Sequence, residues 1–142
     1  MKIGLLLGLS GLGTAVAVCG AAILWGGGRE RRAGIVTGLS WLGSFAVQQL
    51  GHRLDPNLSF LVIDIAALIA LAGPVWRSGQ VWPIFAVMFQ ALAAAIDGVR
   101  LIAPGMHRWA YLTGLAMAAY GLLGVIAIAT LQAIRRRRSA EA

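Results

Sequence analysis

Five acidic residues, two histidines and one cysteine are nearly all that 142 residues supply for binding metals or moving protons. Each scarcity excludes something. A lone Cys19 cannot form an internal disulfide, and no CxxC spacing exists for metal or redox work. The enzyme signatures G-x-S-x-G, H-E-x-x-H, the P-loop and the dinucleotide glycine pattern are all missing. Gly26-Gly27-Gly28 lacks the Lys-Ser/Thr that a phosphate loop requires. His52 and His107 do not stand at opposed positions within an apolar run, so no bis-His haem is expected. They lie near run ends, where interfacial hydrogen bonding is the simpler role, and their spacing is no recognised metal-ligand pattern. The expectation is a protein without enzymatic activity, metal or cofactor.

Charge is scarce as well. Only 12% of the residues are charged against 59% hydrophobic, and the mean hydropathy is +0.81. So little polar surface cannot cover a water-facing globule. The net charge of +7 does not indicate nucleic acid: seven of the twelve basic residues form two clusters beside apolar runs. Membrane topology and anionic lipid produce that pattern.

What is present is apolar sequence in long runs. Five can be drawn: Ile3–Trp25, Ala33–Leu50, Leu58–Trp76, Val81–Ala103 and Trp109–Ile134. About 20 residues span the hydrocarbon as a helix, and 17 suffices, so the second run qualifies only just. The breaks are short, leaving no room for a soluble domain. Residues 1–142 therefore read as one all-α integral membrane bundle of five transmembrane helices with a short basic tail. The alternative is four spans with Ala33–Leu50 re-entrant or interfacial. Lys2 and Ala15-Val16-Ala17 resemble a signal peptide, but the apolar run continues to Trp25, and an uncleaved first helix is expected. Trp25, Trp76, Trp82 and Trp109 stand at run ends, where indole rings favour the headgroup region; Trp41, inside a run, needs a packing partner.

Five spans divide the basic residues unequally. Lys2, Arg53, Arg100 and Arg108 fall on one side, and Arg29, Arg31, Arg32, Arg77 and Arg135–Arg138 on the other. The positive-inside rule places the larger set in the cytoplasm, with the N-terminus outside. Arg135, Arg136, Arg137 and Arg138 then form a stop-transfer anchor, touching anionic lipid at the cytoplasmic face or a partner protein. Gly4-xxx-Gly8 and Gly34-xxx-Gly38 match the small-xxx-small pattern that permits close helix approach. A weak echo of Gly8–Thr14 in Gly38–Ser44 is the level of coincidence a Gly- and Leu-rich chain allows.

Polar residues collect on one half of these runs. Asp64 lies six residues after Leu58, about 9 Å along a helix, and Asp97 lies six residues before Ala103. Arg100 follows Asp97 by three, while Gln48, Gln49 and His52 end the second run and Gln90 joins the face of Asp97. Thr37, Trp41, Ser44 and Gln48 form a second stripe at helical spacing. An unpaired charge at mid-bilayer costs about 2.5–3.5 kcal/mol even on the lenient insertion scale. Asp64 is therefore expected to meet Arg100, Gln48, Gln49 or His52 across a helix interface. The candidate cluster is Asp64, Asp97, Arg100, Gln48, Gln90 and His52.

Two functions fit. One is an accessory or assembly subunit of a larger membrane complex in the bacterial inner membrane, associating with other subunits or with itself by lateral helix packing. The other is a minimal oligomeric transporter or channel, with Asp64 binding a proton or cation.

Overall fold

Helix starts and stops follow from local chemistry. Asp55 precedes Pro56, and its Oδ1 accepts from the Asn57 amide at 3.0 Å, a cap followed by the residue best suited to a first turn. Ser59 closes the same turn, its hydroxyl donating to the Asp55 carbonyl at 2.8 Å. Farther on, Ala103 stands before Pro104, whose ring disfavours helical backbone at the preceding residue, and the fourth helix stops at Ile102.

The computed structural model describes residues 2–50, 55–75 and 79–141. Among them are five α-helices: α1 (Lys2–Trp25), α2 (Gly28–Leu50), α3 (Pro56–Val75), α4 (Trp82–Ile102) and α5 (Arg108–Glu141). Three of these, α3, α4 and α5, are long and apolar enough to cross a membrane, which marks the chain as a membrane protein. Helix α2 is not among the three: its charge-free stretch 33–50 is diluted by Thr37, Ser40, Ser44, Gln48 and Gln49, and its first turns hold Arg29, Glu30, Arg31 and Arg32. Helix α5 likewise runs past Ile134 through the whole arginine cluster to Glu141. Arginine is a good helix former, so leaving hydrocarbon does not end the helix.

Each helix packs on its sequence neighbours, and α1 also packs on α5, closing a ring. Helix α2 touches α5 as well, so the ring has no open centre. The α1–α2 pair runs antiparallel: Gly38 lies by Cys19, Gly34 by Ala22 and Gly26 by Glu30. By contrast α1 and α5 run parallel, with Gly11 near Tyr120 and the Gly26 carbonyl accepting from Arg137 at 3.2 Å. The core joins Ala22, Ala33, Leu71, Ala86, Leu122 and Ile126, with Ala15, Cys19 and Leu123 alongside. Trp41 finds its partner there, packing on that second group.

At Gly34 helices α1 and α2 approach closely. A Cβ added there would stand 2.9 Å from the Ala22 Cβ and 3.0 Å from the Cys19 carbonyl oxygen. The Gly34-xxx-Gly38 pattern therefore has its partner inside the chain, on the small face of α1. Two arginines finish the helix end beside it. Arg31 Nε donates to the Ile23 carbonyl at 3.0 Å, and Arg137 serves Gly26. Both answer the unpaired carbonyls and the negative dipole end of α1.

Candidate functional site

The half of the bundle away from the arginine clusters holds a polar network built by α3, α4 and α5. On α4, Gln90 and Asp97 are seven residues apart, two turns along one face, and both are buried. Helix α3 runs antiparallel beside it, with Leu61 against Gly98, which brings Asp64 between the two. The Gln90 amide donates to Asp64 Oδ1 at 3.0 Å and to the Asp64 carbonyl at 3.3 Å. The Asp64 and Asp97 carboxyl groups stand within hydrogen-bonding reach of each other. From α5, the Tyr111 hydroxyl donates to Asp97 Oδ1 at 2.7 Å. The Arg100 guanidinium lies over the Tyr111 ring, 4.0 Å from its centroid. That distance suits a cation–π contact.

The network has a clear chemical logic. A carboxylate only accepts hydrogen bonds, so the contact between the two acids closes when one of them carries a proton. With that proton in place, the remaining negative charge is matched by Arg100 and the group is neutral. A neutral network is what a low-dielectric interior tolerates. The arrangement can hold a proton between two carboxyl oxygens, or exchange it for a small cation.

Sequence spacing locates some of these residues and misplaces others. Asp64, Gln90, Asp97 and Arg100 come together as one network. Asp64 meets Gln90 and Asp97, however, rather than Arg100, and Arg100 turns to Tyr111. Gln48 and Gln49 are exposed on α2 and stand apart, and His52 lies outside the described residues. The polar stripe on α2 is graded: Thr37 is buried, Trp41 and Ser44 half-buried, Gln48 exposed. Thr37 Oγ1 has no hydrogen-bond partner among the described residues. His107 is exposed.

Two residues escape the sequence reading. Tyr111 sits near a run end beside Trp109 and looks like one more interfacial aromatic. Its position one turn inside α5, level with Asp97 on the antiparallel α4, is the signal that was available. Glu30 is the other. It falls within a charged break yet is only 5% exposed, packed at the α1–α2 turn, so the basic half of the bundle is not wholly apolar inside.

Among the described residues no three His, Cys, Asp or Glu side chains gather closely enough to hold a metal ion. The fold and site define a membrane-embedded helical bundle with a two-acid polar network in one half. The chain matches no protein-family model, curated protein or solved structure.

Proposed function

We propose that the chain is a small, non-enzymatic protein of the bacterial inner membrane, acting as an accessory or assembly subunit of a larger membrane complex. The observation that carries this reading is an unused small-residue seam on α1. Gly13 and Gly20 have nothing within 4 Å of an added Cβ, and Ala17 between them is exposed. The seam points away from the chain's own helices, unlike Gly34, and small residues on a lipid-facing surface let another helix approach. Its occupant would be a partner subunit or a second copy. Purification in mild detergent should retain a stoichiometric partner, and Ala17→Leu should release it. A clean, functional monomer would count against the assignment.

The proposal includes five spans with the N-terminus outside. Helices α1 and α2 have 24 and 23 residues, so each reaches about 35 Å at 1.5 Å per residue, enough for the hydrocarbon. Neighbours would shield the less apolar α2, which packs on α1, α3 and α5. Reporter fusions at Gly28 and Ser139 are expected to read cytoplasm and one at Asn57 periplasm. Asn57 on the same side as Gly28 would leave four spans, with α2 re-entrant or interfacial.

A second reading rests on a specific observation, the Asp64–Asp97 contact: a minimal transporter or channel that binds a proton or cation there. Intramembrane acids that face one another mark proton relays in many pumps. The filled centre of the ring opposes this reading for a single chain, since a pathway would have to run between copies. Flux in liposomes should fall sharply in Asp64→Asn if the site conducts. Unchanged flux removes Asp64 from any transport mechanism.

A further inference from the structure

A concavity outside the polar network lies on the flank of the bundle where the start of α4 meets the far end of α5. It is an open groove of about 430 Å³, within the range of ligand sites. Its lining is sorted by polarity. Phe85, Val125 and Ile128 form one part, and Gln80, Gln132 and Arg136 the other. Along α5, Val125, Ile128, Gln132 and Arg136 succeed one another at helical spacing on one face, covering about 16 Å. The apolar end lies toward mid-helix and the charged end toward the tail, the gradient of a phospholipid entering a leaflet. Trp82 stands between, its indole nitrogen donating to Gln80 Oε1 at 3.0 Å. Tryptophan favours that depth.

Charge points the same way. Successive helical residues diverge by about 100°, which separates the arginines of the tail. Arg137 turns to the Gly26 carbonyl, and Arg136 faces the groove. Helix α4 adds its positive end: Val81 gives its first turn no side-chain cap. Phe85 and Ile128 remain 48% and 57% exposed, so protein leaves the apolar part open.

We infer that this groove binds one anionic phospholipid, its phosphate on Arg136 and its acyl chains along Phe85, Val125 and Ile128. The volume takes the headgroup and the upper chains, and the rest of each chain lies in the bilayer. Bonding to Arg136 supplies a charge-assisted contact to phosphate oxygen, and the surrounding arginines favour a lipid of net negative charge. The site is independent of whether the chain assembles with partners or conducts ions.

Native mass spectrometry of the purified full chain, titrated with phosphatidylglycerol or phosphatidylcholine, tests this. One phosphatidylglycerol should be retained per chain, about tenfold more tightly than phosphatidylcholine. Arg136→Gln should weaken retention about tenfold and Arg138→Gln less than threefold. Ile128→Trp, which fills the groove without altering charge, should expel the lipid while circular dichroism stays unchanged. Equal losses in the two arginine variants would reduce the site to a diffuse basic tail and overturn it. So would retention by Ile128→Trp, equal binding of both lipids, or a lipid-free dimer that Ile128→Trp splits into monomers.

Discussion

Asp97→Ala is expected to destabilise the bundle by about 3–5 kcal/mol, the loss typical when one partner of a buried charged group is removed. Asp97 is 3% exposed and holds the Tyr111 hydroxyl at 2.7 Å, so the truncation orphans that donor inside the protein. It also removes the carboxyl that faces Asp64. Asp97→Asn should behave very differently, with a loss under about 1 kcal/mol. Its amide oxygen can accept from Tyr111 while its amide N–H donates to Asp64, reproducing the acceptor and donor of a protonated acid. Unfolding by SDS titration in mild detergent, followed by circular dichroism, separates the two. Equal losses would show that the network needs negative charge at Asp97 and not a shared proton.

The second large effect belongs to the α1–α2 contact. Gly34→Leu is expected to cost about 3 kcal/mol, at the upper end of ordinary overpacking. The obstacle is main chain: the Cys19 carbonyl oxygen would be 3.0 Å from the new Cβ, and a helix backbone cannot yield as a side-chain tip can. The helices would have to part along the seam that also buries Ala22 and Cys19. Gly38→Ala, one turn away, provides the control. Its Cβ would meet the Cys19 Cβ at 3.7 Å, an ordinary contact, and alanine is the better helix former by about 1 kcal/mol. The same titration should rank Gly38→Ala at or above the parent. If Gly34→Leu matches it, α1 and α2 are not held at this distance.

Hydropathy revealed the helices well and their ends poorly. It registers where a chain prefers lipid, and α3 and α4 agree with their apolar runs within two residues because Pro56 and Pro104 sit at those edges. Helices α2 and α5 overrun theirs through arginines that are polar and yet good helix formers. For the site, spacing alone placed Gln90, Asp97 and Arg100 on neighbouring positions of α4. It could not give the rotation of α4 against α3 and α5, which decides who meets whom. Coulomb pairing favours Asp64 with Arg100; packing instead seats Gln90 and Asp97 against Asp64 and sends Arg100 to an aromatic face. Sequence also gives Asp64 more weight than Asp97, because it stands alone in its run, although Asp97 is the more deeply buried.

The closure of the ring through α1 and α5 has a consequence for biogenesis. A ribosome delivers α1 first and α5 last, yet these two are parallel neighbours, and the carbonyl of Gly26 is served by Arg137. Until the final helix emerges, the early helices have one open flank and an unfinished turn. Helix α2, less apolar than those that follow, waits with α1 for α5 to cover it. The first hairpin is therefore completed only when the last segment arrives. A stop codon just before the arginine run would leave every apolar segment intact and still release a bundle whose first turn lacks Arg137.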